Sequence, residues 1–514
     1  MKPSTPYGRA KASPMLRTLN RGSAQDLAAD NLELFAVSLI VLAALLLLKY
    51  LTNSFGLGVT PDAVDYFSVA DSLLHGRWFT QYDGQPMVLW PPLYPALLAI
   101  FSLVMKPMAA AKVLNGACLA GTVLTAWSWT RRGFGRAAGV VAAVGIALSP
   151  VLLMSCMAWS EPLFLLLTVA GLAAVDRYRS TGRGLRWAAA LAGLAALTRY
   201  PGVALIVAGG ILTLAGPGSG RRWRDTFEYL LLASLPLAFW LGRNWLVAGT
   251  LTGPRYPASV GLVGALGQAA VAVARWAPVD SHPLGFALVA AGTLAGAVVI
   301  LFALQAEKSL FVSTLAVFSV VYGTALTLMC AYVAMDHING RLISPLYVPA
   351  LFLILGGLSC LPQVWPSRLT RGLMVAGLIL IPLVSAVRLA QVGSEIFSYG
   401  PGGYTRVEWR DSPTAAWLKD HPLPRPIYAN EPGAVYWFAR QPALPSPSHH
   451  PFHSPFGPAD GPEKLAAGGS LVLFTFADPR FLTGAELQPA VDLTPVAQFT
   501  DGAVYRVSPR PRPQ

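Results

Sequence analysis

The sequence predicts a polytopic α-helical membrane protein with a small α/β domain at its C-terminal end. Three observations lead there. Hydrophobic residues fill 54% of the 514 positions and charged residues only 12%, too little polar surface for a soluble globule of this length. Apolar runs of about 17–25 residues, the length that crosses a bilayer, recur through the first three quarters of the chain, and the mean hydropathy is +0.52. From about Gly393 the apolar runs shorten to strand length, and Pro, Asp, His and aromatic residues become more frequent.

Residues 1–33 read as a cytoplasmic tail carrying Lys2, Arg9, Lys11, Arg17 and Arg21. No small-residue cleavage pattern follows the first apolar run, so Leu34 to Tyr50 is taken as a span and not as a cleaved signal. The loop 52–92 then faces outward. The apolar stretch 93–105, about 13 residues flanked by prolines, is short for a crossing and suits a juxtamembrane or re-entrant helix. Further spans are expected at 111–130, 137–154, 162–175, 187–197, 203–214, 227–247, 284–304, 310–333, 342–361 and 373–389. With that alternation the clusters Arg131–Arg132–Arg136, Arg177–Arg179–Arg183–Arg186, Arg221–Arg222–Arg224 and Arg368–Arg371 all fall on the side of the N-terminus, as the positive-inside rule requires. The expectation is therefore about eleven spans within 34–392, N-terminus cytoplasmic, in a bacterial cytoplasmic membrane. Residues 393–514 form an extracytoplasmic α/β domain. Its strands are sought at RPIYAN, AVYWFAR, SLVLFTF and GAVYRV, and a helix at Thr414–Leu418.

The net charge of +13 belongs to the loops that face anionic lipid. No basic stripe is interleaved with aromatics, which excludes nucleic-acid binding. Cys118, Cys156, Cys330 and Cys360 have neither metal spacing nor a CxxC pair and read as small core residues. There is no zinc motif and no Walker loop; the His449–His450 pair with His453 sits in a Pro-rich loop and reads as solvated. The polar residues outside the basic clusters collect on the outer side instead: Asp62, Asp65, Asp71, Glu161, Arg199, Arg243, Arg255, Asp336, His337 and Arg341. Any one of them can be a solvated helix end. A whole set on one face of a charge-poor chain points to a site, with a carboxylate as general base and arginines as a phosphate clamp.

The stretch TPDAVDYFSVADSLLHG followed by WPPLYP resembles the first periplasmic loop of the GT-C glycosyltransferase superfamily, in particular bacterial members related to protein O-mannosyltransferases and lipid A aminoarabinose transferases. Asp62, four residues before Tyr66, matches the catalytic base. Ala63 stands where the family often has Glu, and Asp65 where some members have Arg. Trp159–Ser160–Glu161–Pro162 resembles the acidic motif at the outer end of the third span, and Leu197–Thr198–Arg199–Tyr200–Pro201–Gly202 resembles a turn of these proteins. Arg243–Asn244–Trp245 and Asn339–Gly340–Arg341 resemble further outer-side motifs. Ile427 to Pro432, with Tyr436 and Arg440, is similar to the start of the family's outer domain and reads as strand and turn.

The resemblance implies transfer of a monosaccharide from a polyprenyl-phosphate-linked donor to an envelope lipid, polysaccharide or protein. Asp62 and Glu161 are the expected catalytic residues. Arg341, Arg199 and Arg243 are expected to bind the donor phosphate, and Asp65, Tyr66, Trp90, Pro92 and Tyr94 to form the acceptor cleft. A divalent metal is left open, since relatives differ in needing one. Two other readings stay open. A transporter or assembly protein for lipid-linked glycans calls for inverted repeats or broken mid-membrane helices, and no clear repeat is visible. A polymerase or ligase of long glycans keeps the chemistry but changes the donor.

Overall fold

The computed structural model describes residues 14–216, 220–258, 260–276, 309–449, 460–476 and 480–510. The span expected at 284–304, the N-terminal Lys2, Arg9 and Lys11, and His450 and His453 lie outside them. The chain is a multi-pass membrane protein built from helices, followed by one small sheet. In order come α1 (Pro14–Leu51), α2 (Pro61–Leu74), α3 (Leu93–Ser102), α4 (Pro107–Phe134), α5 (Arg136–Ala147), α6 (Pro150–Ser155), α7 (Glu161–Thr181), α8 (Leu185–Thr198), α9 (Val203–Leu214), α10 (Arg222–Ala248) and α11 (Gly261–Ala274). Then follow α12 (Ser309–Tyr332), α13 (Gly340–Val364) and α14 (Arg368–Tyr399).

Among the described residues six helices are long and apolar enough to cross a membrane, lying in α1, α4, α10, α12, α13 and α14. Several expected spans are shorter helices. The run 137–154 is two helices, α5 and α6. Pro150 cannot continue α5, because it has no N–H to donate and its ring clashes with the preceding turn. Ser149 restarts the chain as an N-cap, accepting from the Val151 amide at 3.0 Å. The Gly/Ala-rich helix α11 was not expected. Leu93–Ser102 is a ten-residue helix, too short to span, as its length implied.

One end of the bundle is fastened by charge. Arg131 binds Glu33 at 3.0 Å and Asp30 at 2.6 Å, and Arg136 also reaches Asp30 at 2.6 Å, which ties α1 to the α4–α5 turn. The opposite end is fastened by backbone. Gly58 N–H donates to Cys156 at 2.9 Å and Ala158 N–H to Gly58 at 2.8 Å, while Tyr404 N–H donates to Val59 at 2.7 Å. The segment before α2 is therefore held between the turn before α7 and the chain leaving α14. Asn115, fully buried in α4, donates to the Met157 carbonyl at 2.6 Å and the Ser155 carbonyl at 3.2 Å. Asn115 thereby gives two carbonyls of this irregular junction a partner, as burial demands.

Beyond α14 come α15 (Val407–Arg410), α16 (Pro413–Asp420), β1 (Ile427–Ala429), α17 (Pro432–Ala439), β2 (Leu444–Pro445), β3 (Gly469–Phe474), α18 (Gly484–Leu487), β4 (Val491–Phe499) and β5 (Gly502–Pro509). The sheet order is β2-β1-β3-β5-β4, with β1 parallel to both its neighbours and β5 antiparallel to β3 and β4. AVYWFAR, expected as a strand, lies mostly in α17. Pro432 at its first turn is pre-set for a helix, and the helix lays its aromatics on the membrane part: Tyr436 stacks on Tyr82 at 4.8 Å and Trp437 lies 5.7 Å from Phe67 of α2.

Gly403 is the tightest point of this junction, with φ +59 and a position where a Cβ would strike the Val59 carbonyl. Gly403→Ala is expected to lose roughly 1–3 kcal/mol from the strained conformation and collision, read as a lower melting temperature of the detergent-solubilised protein. An unchanged melting temperature would show that the junction does not hold α2 in place.

Candidate active site

Four charged side chains meet where four helix ends converge. Asp62 lies in the first turn of α2, where Pro61 starts the helix and the helix dipole favours an anion. Glu161 is the first residue of α7 and is 1% exposed; Arg199 follows the last turn of α8 and is 8% exposed. Arg341 opens α13, whose N-cap Asn339 accepts from the Arg341 and Leu342 amides at 3.0 and 3.2 Å. Arg341 lies between the two acids, with Nη2 2.5 Å from Asp62 Oδ2 and Nε on Glu161 Oε1. Arg199 Nη1 pairs with the same Glu161 oxygen. The guanidinium of Arg341 also stacks 4.5 Å from the Trp159 ring centre.

The cluster is neutral in formal charge but not saturated. Asp62 Oδ2, Arg341 Nη2 and Glu161 Oε2 are all buried and none makes an aligned hydrogen bond. The 2.5 Å approach of Asp62 to Arg341 is thus a charge contact without hydrogen-bond geometry. Glu161 Oε2 has no partner, while Asp62 Oδ2 and Arg341 Nη2 meet only each other; buried polar atoms left in this state are costly. Ser160 does not cap α7. Its hydroxyl lies 3.2 Å from Tyr66 Oη and accepts from Arg199 at 3.4 Å. Burial, with the nearby Asp62 charge, raises the Tyr66 phenol well above its usual range.

Asp62, Arg199 and Arg341 line a cavity of about 390 Å³ together with Thr60, Trp90, Tyr200, Arg255, Asp336, Asn339, Glu431 and Arg480, whereas Glu161, expected as catalytic, and Tyr66, expected in the acceptor cleft, are not on its lining. The cavity shares Tyr200, Pro201, Met329, Met335 and Leu342 with an apolar groove of about 540 Å³ between α9 and α12. A charged chamber therefore continues into an apolar slot along the bundle. Burial, and then the Asp62 charge, raises the Asp336 carboxyl above its usual range against the pull of Arg480, Arg341 and His337.

Not every expected residue is brought here. Arg243, expected on the donor phosphate, donates to the Met87 carbonyl at 2.7 Å and the Phe79 carbonyl at 3.4 Å and lies 4.8 Å from the Trp240 ring. Its guanidinium is spent holding the 79–87 loop, and it does not line the cavity. Tyr94 is fully buried 5.0 Å from Tyr66, a core residue and not a cleft wall. Pro91 lines the cavity where Pro92 was expected. Asp65 is not on the cavity lining and takes the Trp90 indole N–H at 3.4 Å. Glu431, read as a turn residue, reaches the cavity and accepts from Tyr404 Oη at 2.7 Å. Glu431 and Arg480 escaped sequence reasoning because only the docking of the C-terminal domain brings them near residue 62. Asn339 was findable as a helix N-cap before an apolar run.

A divalent metal does not fit this donor set. Asp62 and Glu161 are both paired with Arg341, and the described residues hold no group of three or more His, Cys, Asp or Glu side chains able to ligate one.

Residues 90–241 match the family of dolichyl-phosphate-mannose-protein mannosyltransferases. No curated protein matches the sequence. In structure the chain is similar to ArnT from Cupriavidus metallidurans bound to undecaprenyl phosphate, with a TM-score of 0.59 at 14% identity over 91% of this chain and 97% of that one. It is also similar to the archaeal oligosaccharyltransferase AglB from Archaeoglobus fulgidus in complex with an inhibitory peptide and a dolichol-phosphate, with a TM-score of 0.53 at 14% identity over 85% of this chain and 69% of that one. The chain shares the fold of these two structures, as the sequence resemblance implied.

Burial pushes the Asp65 carboxyl well above its usual value of 3.8, with the charges of Asp62 and Asp83 acting the same way. A neutral Asp65 thus contributes stability that is complete below the unfolded value and lost as pH rises through the raised folded one. Asp65→Asn keeps the acceptor for Trp90 and removes the titration. The melting temperature of the variant minus that of the wild type is expected to grow from about pH 4 to about pH 8. A constant difference would mean that Asp65 does not hold its proton in the fold.

Proposed function

We propose that this GT-C-fold protein transfers a monosaccharide from a polyprenyl-phosphate-linked donor to an envelope lipid, polysaccharide or protein at the outer face of the bacterial cytoplasmic membrane. The observation that carries the reading is the unsaturated Asp62–Arg341–Glu161 cluster at the mouth of an apolar slot. A polyprenyl phosphate has the same two parts, an anionic head and a long hydrocarbon tail. Relatives in fold bind lipids of this kind, undecaprenyl phosphate in ArnT and dolichol-phosphate in AglB.

The chemistry follows from the charges. Without donor, Arg341 Nη2 rests against Asp62 Oδ2. A donor phosphate competes for that guanidinium, as a partner that can accept two aligned hydrogen bonds from it, and releases Asp62. Asp62 takes the proton from the acceptor O–H or N–H. The acceptor atom attacks the anomeric carbon, and the bond to the phosphate oxygen breaks with its electron pair. The phosphate charge that develops is met by Arg341 and Arg199. Glu161 stays bound to both arginines and fixes their orientation. A single displacement inverts the anomeric carbon.

The test compares envelope glycans and polyprenyl-phosphate sugars by mass spectrometry in a deletion strain, the wild type and Asp62→Asn at matched expression. Asp62→Asn is expected to cut transfer by about a hundredfold or more, the worth of a general base, and to accumulate the lipid-phosphate sugar. If Asp62→Asn matches the wild type while the deletion has a phenotype, Asp62 is not the base and the transferase reading falls. Arg341→Gln leaves two buried carboxylates short of a partner. It is expected to lower the melting temperature as well as transfer, by about 3–5 kcal/mol of stability, and Arg341→Lys to recover stability more than transfer. Full transfer by Arg341→Gln would remove Arg341 from the donor site.

A further inference from the structure

A second cavity, of about 470 Å³, lies behind the same wall. Its lining includes Trp159 and Gly340, so the ring on which Arg341 stacks has this cavity beside it. The rest comes from α6, α11, α14 and the chain just after α14. Leu153, Met154, Val392 and Ile396 make it apolar on one side, and Arg275, Arg388 and Arg406 give it a positive edge.

The three arginines differ in what they already hold. Arg406 is matched by Glu395 at 3.3 Å and Glu408 at 3.2 Å. Arg275 and Arg388 have no acidic partner among the described residues. Arg388 is the telling one. It sits half-buried in α14, a helix of membrane-spanning length and composition, eleven residues before its end and so about 16 Å along the axis at 1.5 Å per residue. An arginine inside a span is costly, and it is normally paired or turned toward a cavity that holds its counter-ion. Here it faces the cavity, and the one acid on the lining, Glu395, is already paired with Arg406.

We propose that this cavity binds the phosphate head group of a membrane lipid, held by Arg388 and Arg275, with its acyl chains along Leu153, Val392 and Ile396. It is a lipid site separate from the donor chamber, and it does not depend on the transfer reading. The net positive lining selects an anion, and the apolar side formed by Leu153, Val392 and Ile396 selects one that carries hydrocarbon chains.

The test is native mass spectrometry of the full chain in detergent, titrated separately with dioleoyl phosphatidic acid, dioleoyl phosphatidylcholine and undecaprenyl phosphate. The wild type is expected to retain phosphatidic acid over phosphatidylcholine. Arg388→Gln is expected to weaken phosphatidic acid at least about tenfold, the loss of one charge-assisted contact, and to leave undecaprenyl phosphate unchanged. Arg388→Lys, which keeps the charge and guards against a folding artefact, is expected to recover most of it. Equal binding by Arg388→Gln and wild type overturns the proposal, as does equal loss of both lipids. Displacement by millimolar inorganic phosphate would show a site for the free ion and overturn the assignment to a lipid. Arg341→Gln serves as the converse variant. If it fails to weaken undecaprenyl phosphate, the donor assignment fails while this site stands.

Discussion

A buried charge must have a counter-charge, and the fold is arranged around meeting that demand at one place. Asp62, Glu161, Arg199 and Arg341 come from α2, α7, the end of α8 and α13, and each depends on the others for compensation. Removing one leaves an uncompensated charge in a poorly solvated chamber, a far larger penalty than loss of a surface pair. The helix ends that carry them are therefore fixed relative to one another more firmly than apolar packing alone would fix them. The irregular backbone nearby serves the same end. The Gly58–Val59 segment, the turn before α7 and the loop after α14 exchange backbone hydrogen bonds, and this registers α2 against α7 within hydrogen-bond precision.

The distribution of polar groups also separates two tasks. At the end of the bundle away from the chamber, Asp30, Glu33, Arg131 and Arg136 pair with one another and all but Glu33 are partly open to solvent. At the chamber the same kinds of residue are more deeply buried and leave three polar atoms without aligned partners. A protein optimised only for stability would saturate both. Carboxylate and guanidinium atoms left without aligned partners in one cluster are the pattern expected when a ligand is part of the balance there.

Much of this was legible in the sequence, for a definite reason. In a chain so poor in charge, Asp62, Glu161, Arg199 and Arg341 stand out at the ends of apolar runs, and alternation of the basic clusters put them on one side. What sequence could not show was direction around a helix. Arg243 sits at a span end as Arg199 does, yet its guanidinium turns to the carbonyls of Met87 and Phe79. AVYWFAR carries an apolar run that fits a strand or a helix, and the proline before it decided the matter. The break between α5 and α6 was announced by Ser149–Pro150 but masked by the hydropathy of the run around it. Glu431 and Arg480 were out of reach, since no local signal tells where a separate sheet will dock.

The sharing of Tyr200, Pro201, Met329, Met335 and Leu342 by chamber and slot has a consequence for turnover. Under the transfer reading, the hydrocarbon tail of the donor occupies the slot both before and after the sugar departs. Its contacts are the same in substrate and spent carrier, so they strengthen binding without lowering the barrier. What distinguishes the two states is confined to the chamber, where the carrier left behind bears more charge than the donor did and is held by the same two arginines. The lipid that has given up its sugar is thus a natural competitor of the lipid that still carries one. The pace of the cycle then rests on how readily the bilayer draws the spent tail back out between α9 and α12.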